Sequence, residues 1–331
     1  MPRARAGATS AGRARRRRPY RRRTRLPQHA WAVVFAVLLV PGTLGVLAVL
    51  PWASARVVAT SGTDGALGPM AALLALTLAA LVLSWLVGWA TAVFSSVTAW
   101  LYALGGWLVV SLSADRLAEA DPPAAFRRAA DGLHVLAEHG TATVAVVLVA
   151  GVAIGTSIAR RAGRSDERAE ATTGHERSRR GDHVLATAPA VVLGAAGAWF
   201  VALASPGRPE GDGWGSWLLL LGAVLLAACA ATSGISSIGG QVAGGLLVVL
   251  CLLHTSLLGT GPVPVDLDPG QSSSALADGT LLTLGIALAM GTSGAHWARR
   301  SGKRYERTEM AIAQVSRTGG PAARRTPRRP V

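Results

Sequence analysis

The side chains in this chain that are suited to chemistry at membrane depth are few and uncharged. Ser95 and Ser96 interrupt one long apolar stretch. Ser236, Ser237 and Gln241 interrupt another, inside Thr232-Ser233-Gly234-Ile235-Ser236-Ser237-Ile238-Gly239-Gly240-Gln241. Serine and glycine weaken a helix by offering the backbone other partners or more freedom. An interrupted helix in an apolar span exposes carbonyl and amide dipoles to a solute. Gln241 adds the one side-chain amide of its stretch. The chemistry this implies is recognition of a neutral or lipid-like solute by hydroxyls and dipoles. The same residue types also let helices pack closely and bond across to one another, so that reading stands beside the first.

Catalytic constellations are missing from the sequence. It has no nucleophile elbow, no HExxH, no phosphate-binding loop and no carboxylate pair on an apolar run. The chain therefore reads as a non-enzyme without cofactor. Cys229 and Cys251 fall in apolar runs and read as small packing residues, with no metal-ligand spacing. His134 and His139 are five apart, a poor spacing for one helix face, and no metal site is expected there. His254 and His296 have no acidic partner at membrane depth, which argues against ion-coupled transport through carboxylates.

The elements that carry these residues follow from hydropathy. Half of the 331 residues are hydrophobic, only 15% are charged, and mean hydropathy is +0.38. Between the charged segments lie apolar runs long enough to cross a bilayer. They predict an all-α integral membrane protein with eight transmembrane helices: about 30–50, two within 69–112, 141–159, 184–204, two within 214–258, and 276–297. Either shared stretch would be about 66 Å long as one helix, against a hydrocarbon core of about 30 Å, so each must turn back. The turns are expected near Gly88 to Phe94 and at Ala231-Thr232-Ser233-Gly234.

Charge orients the chain. Net charge is +15, and 28 of the 33 basic residues fall in the N-terminal tail, the 160–183 segment and the C-terminal tail. The positive-inside rule then places both termini in the cytoplasm of a multi-pass protein of the plasma membrane. Lys303 is the only lysine. That bias towards arginine resembles the coding of GC-rich bacteria. Arg15, Arg16, Arg17, Arg18, Arg21, Arg22 and Arg23 crowd a tail that contains no acid, which reads as disordered and drawn to anionic lipid head groups. No folded recognition module accompanies the tail, so nucleic acid is not the expected partner. The Ala53-Ser54-Ala55 motif after the first run resembles a signal-peptide cleavage site. The run of about 21 residues exceeds the usual 7–15, which favours an uncleaved anchor.

The organisation that follows is a disordered basic tail (1–29), a four-span half (30–159), a flexible charged linker (160–183), a second four-span half (184–298) and a basic tail (299–331). Within 113–140, Asp121 and Pro122 suit a helix start. Phe126, Ala130, Leu133 and Ala137 would share one face of a short helix, which either lies on the membrane surface or packs as an ordinary loop helix.

The two halves look like parallel four-helix repeats. Gly155-Thr156-Ser157 precedes Arg160-Arg161-Ala162-Gly163-Arg164, just as Gly291-Thr292-Ser293 precedes Arg299-Arg300-Ser301-Gly302-Lys303. Ser95-Ser96 and Gly105-Gly106 likewise match Ser236-Ser237 and Gly244-Gly245.

The expected function is that of a small permease-like protein for a neutral or lipid-like solute. The alternative is a structural or assembly protein of the bacterial envelope, acting through helix faces and tails on itself or on another membrane protein.

Overall fold

The structure is a computed structural model that describes residues 26–60, 67–94, 97–119, 124–175, 180–204, 214–258 and 279–318. Among these the fold is all-helical: α1 (Leu26–Ala59), α2 (Leu67–Val93), α3 (Val97–Glu119), α4 (Ala124–Glu138), α5 (Thr141–Thr173), α6 (Arg180–Leu203), α7 (Trp214–Ala231), a 3-10 turn (Thr232–Gly234), α8 (Ser237–Leu258) and α9 (Thr280–Thr318). Alanine and leucine dominate these segments, and a helix satisfies its own backbone without water.

Large apolar side chains point outwards from the bundle. Leu38 is 69% exposed, Val192 66% and Trp217 68%, which suits contact with lipid rather than water. Among the described residues, six helical stretches are long and apolar enough to cross a membrane: His29–Ala59, Leu67–Val93, Thr141–Thr173, His183–Leu203, Gly215–Gly234 and Ser237–Ser256. The architecture is thus compatible with a polytopic membrane protein. The expected count was eight, and α3 and α9 are not in this set. The first half of α9 is enclosed by the bundle. Its residues from Thr280 to Gly285, with Ile286 and Leu288, are buried among α2, α5 and α8. A helix lined by protein does not have to be apolar all round.

Packing follows small residues, as expected where lipid tails leave no hydrophobic force between helices. α1 lies against α2 and α3, and α6 lies against α7 and α8. α5 packs on α7, and α9 packs on α2. α5 and α9 run side by side and in the same direction. Gly163 of α5 meets the Arg299 carbonyl so closely that a Cβ there would clash, and Gly302 of α9 meets the Arg160 carbonyl in the same way.

Several boundaries differ from the sequence reading. α2 continues through Val93 before it turns at Phe94, because Gly88 serves packing rather than a turn. A Cβ on Gly88 would come within 2.7 Å of the Met290 carbonyl oxygen. The second turn falls where expected, as the 3-10 turn. Residues 160–173 are not a flexible linker but continue α5 as helix, up to a left-handed Gly174 cap. Residues 308–318, expected as tail, extend α9.

α4 forms and docks on α1 and α3, as the packed alternative expects. Ala130, Leu133 and Leu136 are buried, Gly132 is pressed to the Ala48 carbonyl, and the Arg128 guanidinium sits 4.7 Å from the Trp52 ring centroid. Asp121 and Pro122 lie outside the described residues. The Ala53-Ser54-Ala55 motif sits within the unbroken α1, with Ala53 and Ser54 buried.

Candidate functional site

Two helix ends in the bundle are held by arginines from other helices. The Arg160 Nη2 of α5 donates to the carbonyls of Thr91 (3.2 Å) and Ala92 (2.7 Å) in the last turn of α2. The Arg299 Nη2 of α9 donates to the carbonyls of Gly234 (2.7 Å) and Ile235 (3.0 Å), just after α7. The last carbonyls of a helix have no partner in their own helix and carry its negative dipole end, so a guanidinium is the natural cap. The sequence reading missed both roles. The available signal was the placement of Arg160 and Arg299 directly after the apolar part of α5 and α9.

In the serine-rich joint between α7 and α8, Ser236 is engaged by its neighbours. The Ser236 Oγ is fully buried, accepts the Ile238 N–H at 3.3 Å and lies 2.7 Å from His183 Nδ1. Ser236 thus caps α8, and His183 of α6 braces the cap. Ser237 opens α8 and Gln241 lies on its second turn, both half-buried. His296 is exposed on α9, within electrostatic reach of Arg300, Arg299 and His183. Ser95 and Ser96 lie outside the described residues, as do Arg15 to Arg18 and Arg21 to Arg23.

Empty space lies elsewhere. An apolar cavity opens between α1, α3, α4, α5 and α9, lined by Leu44, Tyr102, Ala103, Gly106, Ala145 and Leu133 among others. Its volume of about 60 Å³ is several times the roughly 10–15 Å³ one water needs, and apolar walls keep such a space dry. A second cavity of about 30 Å³ lies further along, where α2 joins the wall with Ser84, Gly88 and Thr91. Tyr102, Val149 and Ala287 line both cavities. From Thr141 to Val152 of α5 the two together span about 16 Å of helix.

The interface between α8 and α9 is close-packed at its glycines. Gly244 brings the two backbones together at Gly285 and Ala289, and Gly240 takes the Thr292 side chain. Between α3 and α5, residues such as Ala103 and Gly106 leave room instead.

Past the capping arginines, α5 and α9 continue together as a two-helix stalk. Arg168 grips Glu306 with two bonds, Nε to Oε1 at 2.6 Å and Nη2 to Oε2 at 3.2 Å. Arg307 Nε bonds Glu167 Oε1, and Lys303 Nζ lies 3.3 Å from Glu170 Oε2. Arg164 lies over the Tyr305 ring at 4.6 Å. The bond from Arg168 holds the Glu306 carboxyl below its ordinary range, and the charges of Arg168 and Arg164 act in the same direction against the cost of burial.

The chain matches none of the protein-family models, curated proteins or solved structures with which it was compared.

Proposed function

We propose that this chain is a bacterial plasma-membrane protein of permease type for a neutral or lipid-like solute. Both of its termini are cytoplasmic, and eight spans form two parallel four-span repeats. The observation that carries the reading is the apolar cavity between α3 and α5, set against the close backbone approach at Gly244 between α8 and α9. Ligand pockets are concave and mostly apolar, with a few polar groups to set orientation.

The repeat is supported by contacts that come in matched pairs. Arg160 caps α2 as Arg299 caps the end of α7, and Gly163 meets Arg299 as Gly302 meets Arg160. Arg168 pairs with Glu306 as Arg307 pairs with Glu167. Under this symmetry Gly155, which lies against the carbonyls of Ala230 and Ala231, answers to Gly294, which lies against the carbonyl of Gly88. The Gly-Thr-Ser match of the sequence reading is therefore one turn out of register. Ser236, Ser237 and Gln241 become packing and capping residues in this picture, and the solute moves to the cavity.

Proteoliposomes carrying a nitrobenzoxadiazole-labelled diacylglycerol, with dithionite added outside, test the reading. Protein should speed the loss of the protected inner-leaflet signal over protein-free vesicles, and Ala103→Phe, which fills the cavity, should return it to the background rate. Equal rates with and without protein would remove the permease reading. The envelope-assembly alternative would then stand, favoured by a stalk that projects beyond the apolar bundle.

A further inference from the structure

Thr77, Ser84 and Thr91 are spaced by seven residues on α2 and so share one helix face. Thr77 donates to the Leu73 carbonyl at 2.8 Å and Thr91 to the Val87 carbonyl at 2.8 Å, the usual habit of hydroxyls in apolar helices. Ser84 departs from it. Its Oγ is buried, the residue is 7% exposed, and the hydroxyl has no partner among the described residues. Ser84 lines the inner cavity.

The threonine hydroxyls nearby are engaged, and the Tyr102 phenol lines both cavities. Thr283 donates to the Gly279 carbonyl at 3.0 Å, and Thr141 to Thr280 at 3.4 Å. Among the described residues, no carboxylate, lysine, arginine or histidine lines either cavity. A ligand carboxylate or phosphate would lose its hydration there without compensation. A ligand oxygen that is neutral would lose little and would satisfy Ser84.

We propose that the two cavities form one slot for an uncharged single-chain lipid. Its chain would lie along Tyr102, Ala103, Ala145 and Leu44, and its one hydrogen-bonding oxygen, a hydroxyl or carbonyl, would meet Ser84. This rests on the cavity being the solute site and adds to it the class of the solute and the position of its polar end.

The test uses the full chain in nanodiscs, with 1-hexadecanol, palmitate and hexadecane as probes and native mass spectrometry as the readout. The alcohol should be retained by the wild type more strongly than palmitate or hexadecane. Ser84→Ala should weaken its retention about tenfold, the usual worth of one well-formed hydrogen bond. Ser54→Ala removes another buried hydroxyl, one that lines neither cavity, and should change nothing. Ala103→Phe should abolish retention, with the milder Ala145→Leu in its place if the phenylalanine prevents folding.

Loss in the filling variant without loss in Ser84→Ala would leave the cavity as the site and overturn the polar-end assignment. Palmitate held as tightly as the alcohol would overturn the uncharged class. Unchanged retention in every variant would overturn both this inference and the site on which it rests.

Discussion

Arg160 and Arg299 lie side by side on parallel helices and reach in opposite directions to do the same work. One closes the end of α2, the other the joint between α7 and α8. Each also lends its backbone carbonyl to a glycine of the other's helix, Gly302 for Arg160 and Gly163 for Arg299. Four helices thus meet at one level through two reciprocal arginines.

Arg160→Ala and Arg299→Ala should each destabilise the bundle by about 1.5–3 kcal/mol, the usual worth of hydrogen bonds from a charged donor. The check is the unfolding temperature in detergent. The two losses should be similar in size. Lysine should restore only part of either, because it presents a point charge rather than a planar fork. A large effect at one position and none at the other would break the reciprocity.

Gly163→Leu and Gly302→Leu put side chains where the backbones of α5 and α9 touch. Overpacking of this kind costs about 1–3 kcal/mol. Gly45→Leu is the control, since no described residue lies within 4 Å of a Cβ at that position. Both stalk variants should lower the unfolding temperature while the control holds or raises it.

The stalk should loosen in acid. The carboxyl of Glu306 is held below its ordinary value, so its pairing with Arg168 contributes stability that is fully present above the unfolded value, roughly 4.5. That contribution is lost as pH falls from there through the lower folded value. Spin labels at Ala171→Cys and Ala311→Cys should give a narrow distance distribution at neutral pH that broadens below about pH 4.5. Glu306→Gln should broaden it already at neutral pH. High salt should do less, since Glu306 is shielded while only its partner is exposed.

Orientation can be read by cysteine labelling. Asp131→Cys on α4 should react with a membrane-impermeant maleimide added to whole cells, and Ala171→Cys only after permeabilisation. Cys229 and Cys251 are buried and should stay silent in the folded protein. The reverse pattern would invert the topology argued from charge.

Some of this was legible in the chain alone. Hydropathy and length decide where an apolar helix begins and ends without reference to any partner. That is why α1, α2 and α5 to α8 were found, and why the second turn at Thr232–Gly234 was placed correctly. The repeat was proposed from matched motifs, whose register sequence alone leaves open, because a slip of one turn leaves alanine- and glycine-rich helices looking alike; the contacts of Gly155 and Gly294 with carbonyls support one register.

Charge composition misjudged residues 160–173. Mixed charge looks like a flexible linker until Glu167 and Glu306 find arginines on the neighbouring helix. The serine-rich joint pointed to a ligand because sequence shows polar groups but not their partners. Arg299 and His183, distant in the chain, take up the Gly234 and Ile235 carbonyls and the Ser236 hydroxyl. The empty slot beside Tyr102 had no sequence signature, since a cavity is a failure of several helices to meet. Composition along the chain therefore determined the helices and how many are long and apolar enough to cross a membrane. The tertiary structure decided which polar groups were already satisfied and where room remained, because both are properties of pairs of residues far apart in sequence.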